Sequence, residues 1–134
     1  MNLKISNNLE ELDNLALFLE KFGEKYDISP GVIFEINLSL DELVTNTINY
    51  GFNDDNDHVI SLDMILEANK IVIELIDDGV MFDPFSKPDP DLTLAVEEKP
   101  IGGLGIYFVK QKMDEWSYER TENLNIVKLG KNIN

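Results

Sequence analysis

The spacing of apolar side chains along the chain predicts three helices. Apolar residues recur three and four positions apart over residues 8–26. The same period continues over residues 29–51, where a Ser-Pro pair is typical of a helix start and Gly51 of a helix end. A third, shorter helix is expected to follow a run of glycines and to reach about Asp114.

Alternating and uniformly apolar runs predict the strands. The expected strands are residues 3–5, 58–66, 71–76, 116–121 and 125–129. The first is expected at a sheet edge, and the third is apolar enough to be central. Because the helices are grouped rather than alternating strictly with the strands, the chain predicts an α+β fold. We expect a two-layer sandwich, with helices on one face of a mixed, mostly antiparallel sheet.

One long segment has no clear period. Residues 82–100 contain four of the chain's five prolines, so we expect a long loop with one helical turn at 94–98. Long loops in compact domains are usually functional or disordered. The total length, 134 residues, predicts a single domain over residues 1–134.

Charge and composition exclude several classes of function. The 11 basic and 26 acidic residues give a net charge of −15, which opposes binding to nucleic acid or to an anionic membrane. The absence of cysteine excludes thiol catalysis, and the one histidine, His58, is expected to be a plain surface imidazole. No apolar run is long enough to cross a membrane and no signal core begins the chain, so a cytoplasmic location is expected.

The second predicted helix is apolar on two sides, with a polar strip between them. The strip contains Glu35, Ser39, Glu42, Asn46 and Asn49. A helix of this kind is expected to be largely buried, so its polar strip should line a wet pocket. Glu42 and Asn46 project to one place, where a carboxylate and an amide oxygen can hold hydrated Mg²⁺ or orient a hydroxyl. The alternative is an exposed helix edge with an ordinary i,i+4 hydrogen bond.

Two glycine sites could complete a binding site with that strip. Asp77-Asp78-Gly79 follows the apolar strand, where a carboxylate can accept a hydrogen bond from an exocyclic amine and a glycine lets a flat base approach. Taken alone, this pattern favours a turn. Residues 102–105, Gly-Gly-Leu-Gly, precede the third helix and could offer backbone N–H groups to a phosphate. A flexible hinge would have the same pattern.

Together and in this order, the three segments resemble the ATPase superfamily of gyrase, Hsp90, histidine kinases and MutL. Residues 42–51 resemble its N-box, residues 77–79 its first glycine box and residues 103–105 its second. The small size and the Gly-Leu-Gly-Ile helix are most similar to the bacterial anti-sigma-factor serine kinases. The likeness extends over about residues 29–129.

The resemblance implies a Bergerat ATP-binding fold, with ATP between the helices and a lid over about residues 82–102. It implies that Glu42 is the general base for a protein serine hydroxyl and that Asn46 binds Mg²⁺. It further implies that Asp77 receives the adenine amino group. The ATP-binding residues implied in this way are Asn46, Asp77, Gly79, Gly103, Leu104, Gly105 and Lys99.

The same resemblance implies three partners: a STAS-domain anti-anti-sigma protein phosphorylated on serine, a sigma factor held inactive, and a second copy in a homodimer. The sequence departs from the family at Met81, where a glycine is common, and at Asn49, where Lys or Arg is common. The expected lid has no arginine, since the chain's one arginine is Arg120. Because an Arg fork controls phosphoryl geometry better than Lys, the alternative is a nucleotide-gated partner-binding module with little or no kinase activity.

Overall fold

The computed structural model describes residues 1–86 and 104–133 of the chain. In these ranges the chain forms β1 (Asn2–Ser6), α1 (Leu12–Tyr26), α2 (Pro30–Tyr50), β2 (Val59–Glu67), β3 (Lys70–Asp77), α3 (Leu104–Lys112), β4 (Glu115–Thr121) and β5 (Leu124–Asn132). A single 3₁₀ turn, Leu9–Glu11, leads into α1. Of the expected elements, only the helical turn at residues 94–98 lies outside the described residues.

The 3₁₀ turn ahead of α1 and the helix α2 begin at capping side chains. The Asn8 side chain accepts a hydrogen bond from the backbone N–H of Glu10 at 2.9 Å, just ahead of α1. The Ser29 hydroxyl accepts one from the N–H of Val32 at 3.4 Å, and Pro30 takes the first position of α2. These caps satisfy N–H groups that have no partner within the helix.

The five strands form one open sheet in the order β1-β2-β3-β5-β4. All four pairings are antiparallel, so the sheet contains no parallel pair within the described part of the chain. The apolar strand β3 is central and β1 is an edge, as the sequence predicts. The predicted α+β sandwich is confirmed, but the five described strands pair only antiparallel, where a mixed sheet was expected.

The core lies between the helices and one face of the sheet. Strand β3 turns Ile71, Ile73 and Leu75 inward, as its alternating pattern requires. Helix α2 contributes Ile36, Leu40, Leu43 and Val44, and α1 contributes Leu15, Leu19 and Phe22. Each such side chain contributes roughly 1.5–3 kcal/mol on burial. The opposite face of the sheet has no helix against it among the described elements, and Val59 and Ile65 are exposed there.

The expected lid lies mostly outside the described residues, as do Lys99 and Gly103. Its first residues are described. There, the Asp83 carboxylate accepts a hydrogen bond from the backbone N–H of Phe85 at 2.9 Å. Within the described ranges, none of the helices combines the length and the hydropathy that crossing a membrane requires.

Candidate functional site

Glu42 and Asn46 lie one turn apart on α2 and are hydrogen-bonded to each other. The Asn46 side-chain amide donates to Glu42 Oε1 at 3.2 Å, and both side chains are partly buried. Glu42 also lies against the first turn of α3, because a Cβ built on Gly105 would overlap its carboxyl group. Glu42 therefore faces α3, and the i,i+4 hydrogen bond of the alternative interpretation is present, although neither residue is fully exposed.

The polar strip of α2 does not line a single pocket along its whole length. At one end, Glu35 pairs with Lys131 Nζ at 3.0 Å. Ser39 is fully buried, and its hydroxyl has no hydrogen-bond partner among the described residues. At the other end, Asn49 is exposed. Glu42 and Asn46, in the middle of the strip, project to one place as expected, and their part in a wet pocket stays a prediction.

The segment after β3 forms a turn that packs on the C-terminal end of α2. Asp77 Oδ1 accepts a hydrogen bond from the backbone N–H of Gly79 at 2.8 Å. The backbone N–H of Val80 donates to the carbonyl oxygen of Gly51 at 2.7 Å. A Cβ on Gly79 would overlap that same carbonyl oxygen, so the two backbones approach as closely as glycine allows.

Helix α2 therefore joins the three segments that the sequence singles out. Gly105 contacts it at Glu42, and the Gly79 turn contacts it at Gly51, nine residues further on. At the rise of an α-helix this is about 13 Å along the axis. A carboxylate–amide pair lies at one end of this length and the Asp77 carboxylate at the other.

A small cavity opens beside Asp77. Its volume is about 20 Å³. Its walls are Leu43, Val44, Thr47, Gly51, Ile60, Leu75, Asp77, Phe82, Pro84, Asn125 and Val127. The walls are mostly apolar and include three polar side chains, those of Thr47, Asp77 and Asn125, which is the character of a small-molecule site. In this conformation the cavity is smaller than a purine base.

Asn125 is a functional candidate that the sequence analysis missed. Its side chain is only 4% exposed and donates to Asp77 Oδ1 at 3.0 Å and to the Val80 carbonyl at 2.8 Å. A signal for it exists in the sequence. Asn125 occupies the same alternating phase of β5 as Val127 and Leu129, which face the core, and a polar residue in that phase needs a buried partner.

Two side chains of β4 complete this polar cluster. The Tyr118 hydroxyl donates to Asn125 Oδ1 at 2.5 Å. Arg120 donates from Nη1 to the same oxygen at 3.1 Å and to the Gly79 carbonyl at 2.8 Å. The chain's one arginine, Arg120, is therefore hydrogen-bonded to residues beside Asp77, near the C-terminal end of α2.

His58 is not the plain surface imidazole that the sequence predicts. Its Nε2 lies 2.7 Å from Asp54 Oδ1 and its Nδ1 lies 3.0 Å from Asp78 Oδ1. The ring stacks on Phe52, with centroids 4.2 Å apart. The hydrogen bond to Asp54, aided by Asp78, raises the pKa of His58, and the bond to His58 lowers the pKa of Asp54. The imidazole thus ties the segment after α2 to the turn that carries Asp77.

The residues present fit a magnesium ion held jointly with phosphate. Among the described residues, no three His, Asp or Glu side chains are grouped as a metal site. Magnesium usually takes only one or two protein oxygens and completes its shell with water and substrate phosphate. The amide oxygen of Asn46 is not used in the bond to Glu42, so it remains a suitable donor. The metal role of Asn46 stays a prediction.

Comparison with known families identifies the chain's relatives. A family model described as a histidine kinase-like ATPase domain matches residues 5–131. The chain belongs to the histidine kinase-like ATPase family. The superfamily predicted from the N-box and the two glycine boxes is thereby confirmed.

Curated relatives within this ATPase family carry kinase and anti-sigma names. A serine-protein kinase RsbW from Listeria monocytogenes is 24% identical over 115 residues, which cover 83% of this chain and 73% of the relative. An anti-sigma F factor from Geobacillus stearothermophilus is 25% identical over 123 residues, covering 92% and 84%. The serine/threonine-protein kinase BtrW of Bordetella bronchiseptica is 24% identical, covering 92% and 87%.

A solved structure shows the same ATPase-family fold. The structure of the RsbU and RsbW domains of a Mycobacterium tuberculosis protein aligns with a TM-score of 0.66 at 12% identity. The alignment covers 99% of this chain and 32% of the larger one. At this identity the likeness supports the fold alone.

Proposed function

We propose that the chain is a Mg²⁺-ATP-dependent protein-serine kinase that also binds a sigma factor and holds it inactive. The observation that carries the proposal is the arrangement along α2, with Glu42 against the first turn of α3 and the Asp77 turn against the other end. The names of the curated relatives, serine-protein kinase and anti-sigma factor, point in the same direction.

In this proposal the adenine base binds toward Asp77 and the triphosphate toward the start of α3. Asp77 Oδ1 already accepts two hydrogen bonds, which leaves Oδ2 to accept from the exocyclic amine. Because the cavity is small, Phe82 and Pro84 must move aside to admit the base.

The first turn of α3 lets an acidic protein bind a polyanion. Unpaired N–H groups and the positive end of a helix dipole favour phosphate without any basic side chain. We assign Gly105, Leu104 and Gly103 to these backbone contacts and Lys99 to a side-chain contact. This mode of binding is compatible with a net charge of −15.

Glu42 is the proposed general base. Its carboxylate would take the proton of a protein serine hydroxyl, and the bond from Asn46 to Oε1 restricts how that carboxylate can turn. Asn46 would hold the Mg²⁺ ion, whose chemistry is to offset charge on the transferring phosphoryl group. We propose a STAS-domain anti-anti-sigma protein as the serine substrate, and a cytoplasmic homodimer as the active form.

The test is phosphoryl transfer from labelled ATP to a STAS-domain protein of the same genome. Glu42→Gln keeps the size of the side chain and removes the base, so transfer should fall by about 10²–10⁴-fold. The affinity for ATP should change little. Glu35→Gln is the matched control, because Glu35 lies on the same strip of α2 but pairs with Lys131.

Each outcome bears on a different part of the proposal. Transfer that survives Glu42→Gln would contradict the role of Glu42. Tight ATP binding without transfer to any STAS protein would support the partner-binding module instead. For Asn46, ATP affinity should depend on Mg²⁺ in the wild type and lose that dependence in Asn46→Ala. Equal affinities in all four titrations would rule out the metal assignment.

A further inference from the structure

Both polar atoms of the buried Asn125 side chain have hydrogen-bond partners. The amide nitrogen donates to Asp77 Oδ1 and to the Val80 carbonyl. The amide oxygen accepts from the Tyr118 hydroxyl, from Arg120 and, at 3.4 Å, from the backbone N–H of Phe82. Donors surround one end of the amide and acceptors the other, so the network itself fixes which end is nitrogen.

This network determines what Asp77 can present to a ligand. Oδ1 accepts from Gly79 N–H on one side and from Asn125 on the other, and these two bonds hold the carboxylate plane. The remaining oxygen can only accept a hydrogen bond while the group is ionised. A 6-amino purine offers a donor to that oxygen, whereas a 6-oxo purine offers another acceptor. A buried site that accepts a hydrogen bond from a 6-amino group binds a 6-oxo purine much more weakly, because two acceptors then face each other.

We propose that Tyr118 and Arg120 are positioning residues that act through Asn125 to make the site selective for 6-amino over 6-oxo purine nucleotides. The inference rests on the proposed function, since it assumes that the base binds at Asp77. Tyr118 and Arg120 donate to the amide oxygen of Asn125 and so hold in place the amide whose nitrogen donates to Asp77. Arg120 also holds the Gly79 carbonyl and so fixes the turn beside the base.

Without these donors, the amide oxygen of Asn125 keeps only the weak bond from Phe82, so the amide is held less firmly beside Asp77. The bond from Asn125 to Asp77 Oδ1, one of the two restraints on the carboxylate, would then be weakened. Binding of ATP depends on the restrained orientation of the Asp77 carboxylate, whereas binding of ITP does not benefit from it. Loss of the bonds that hold Asn125 should therefore weaken ATP binding and leave ITP binding nearly unchanged.

The test measures dissociation constants for ATP and ITP by calorimetry on the full chain. Tyr118→Phe removes a single hydroxyl and Arg120→Ala removes both guanidinium bonds. Each should lower the preference for ATP over ITP by about tenfold, with the larger loss in Arg120→Ala. The matched control is Glu119→Gln, which lies between them on β4 with an exposed side chain and should keep the wild-type ratio.

The ratio of the dissociation constants for ATP and ITP shows whether Tyr118 and Arg120 position Asn125 or only stabilise the fold. Equal losses of ATP and ITP affinity, or a wild-type ratio in both variants, would overturn the inference while leaving the proposed function intact. A wild-type chain that binds neither nucleotide would overturn both. Tyr118→Phe keeps the ring and so tests the inference even if Arg120→Ala fails to fold.

Discussion

Two glycines contact α2 where a side chain would collide, but the two collisions differ in kind. At Gly79 an added Cβ meets the backbone carbonyl of Gly51, which cannot easily move. At Gly105 it meets only the end of the Glu42 side chain, which can rotate away. A substitution at residue 105 should therefore disturb the proposed base more than it disturbs the fold.

Gly105→Ala tests this difference. The new methyl group should displace the Glu42 carboxylate and lower phosphoryl transfer at least tenfold, because a misplaced catalytic group loses much of its effect. The free energy of unfolding, measured with denaturant, should change by less than about 1 kcal/mol, since only a flexible side chain has to move.

Two further variants control this experiment. Gly31→Ala also adds a methyl group to a helical glycine, but its Cβ would meet no atom within 4 Å, so activity should be unchanged. Gly105→Ala made in a Glu42→Gln background should cause no additional loss of transfer. A further loss there would mean that Gly105 acts independently of Glu42.

His58 makes stability depend on pH. Its pKa is raised above the ordinary value of 6.5, so the stabilisation from its bonds is complete below about 6.5 and is lost as the pH rises through the raised value. The pKa of Asp54 is lowered from 3.8, so its contribution is present above 3.8 and is lost as the pH falls through the lowered value. The His58 contribution should therefore be greatest between about pH 4 and 6.5.

The measurement is the free energy of unfolding of wild type and His58→Gln across this range. The variant should be less stable in mildly acidic buffer, and the difference should shrink in alkaline buffer. A difference that stays constant with pH would show that the stacking of the ring on Phe52, and not its charge, is what matters.

At the scale of elements, helix α2 shows what the sequence could and could not predict. Its start, its end and the facing of Glu42 and Asn46 follow from local spacing and capping residues. The partner of Glu35 does not, because Lys131 lies 96 positions away. The cluster at Asp77 was missed for the same reason, since Asn125 lies 48 positions further along the chain and only tertiary packing joins them.

Helix α2 also carries a partly buried acid, Asp41. Burial raises the pKa of Asp41 above 3.8, and one of its oxygens has no partner among the described residues. The ionised group is disfavoured in the folded state, so wild-type stability should fall as the pH rises through that raised pKa. Asp41→Asn should remove this fall and stabilise the protein at neutral pH by on the order of 1 kcal/mol.

Thermal or chemical unfolding at several pH values measures the effect. Asp63→Asn is the matched control, because it removes one negative charge from an exposed position of β2. The free energy of unfolding should increase much less in Asp63→Asn than in Asp41→Asn. Equal gains in both variants would mean that relief of the overall negative charge, and not burial, is responsible.

At the scale of the whole molecule, the two faces of the sheet differ. One is covered by helices, and the other exposes Val59 and Ile65 at 54% and 40%. Ser61 and Asp63 separate these two side chains on that face, so they offer two apolar contacts rather than one continuous patch. Because each copy carries a charge of −15, two copies repel one another, and added salt should weaken that repulsion.

We therefore expect the proposed homodimer to form through this open face and to strengthen with salt. Ile65→Lys should shift the molar mass measured by light scattering toward that of a monomer. Leu17→Lys, which alters a similarly exposed apolar residue of α1, should leave it unchanged. A dimer unaffected by Ile65→Lys would place the interface elsewhere.

The edge position of β4 has a consequence beyond the sheet. An edge strand has unpaired backbone groups, and extended peptides can add to such an edge as a further strand. On β4 that addition would occur on the same strand that carries Tyr118 and Arg120. A peptide bound along β4 would thus be separated from Asp77 by two side chains, one of β4 and that of Asn125. Binding of a partner at this edge could therefore alter the recognition of the base.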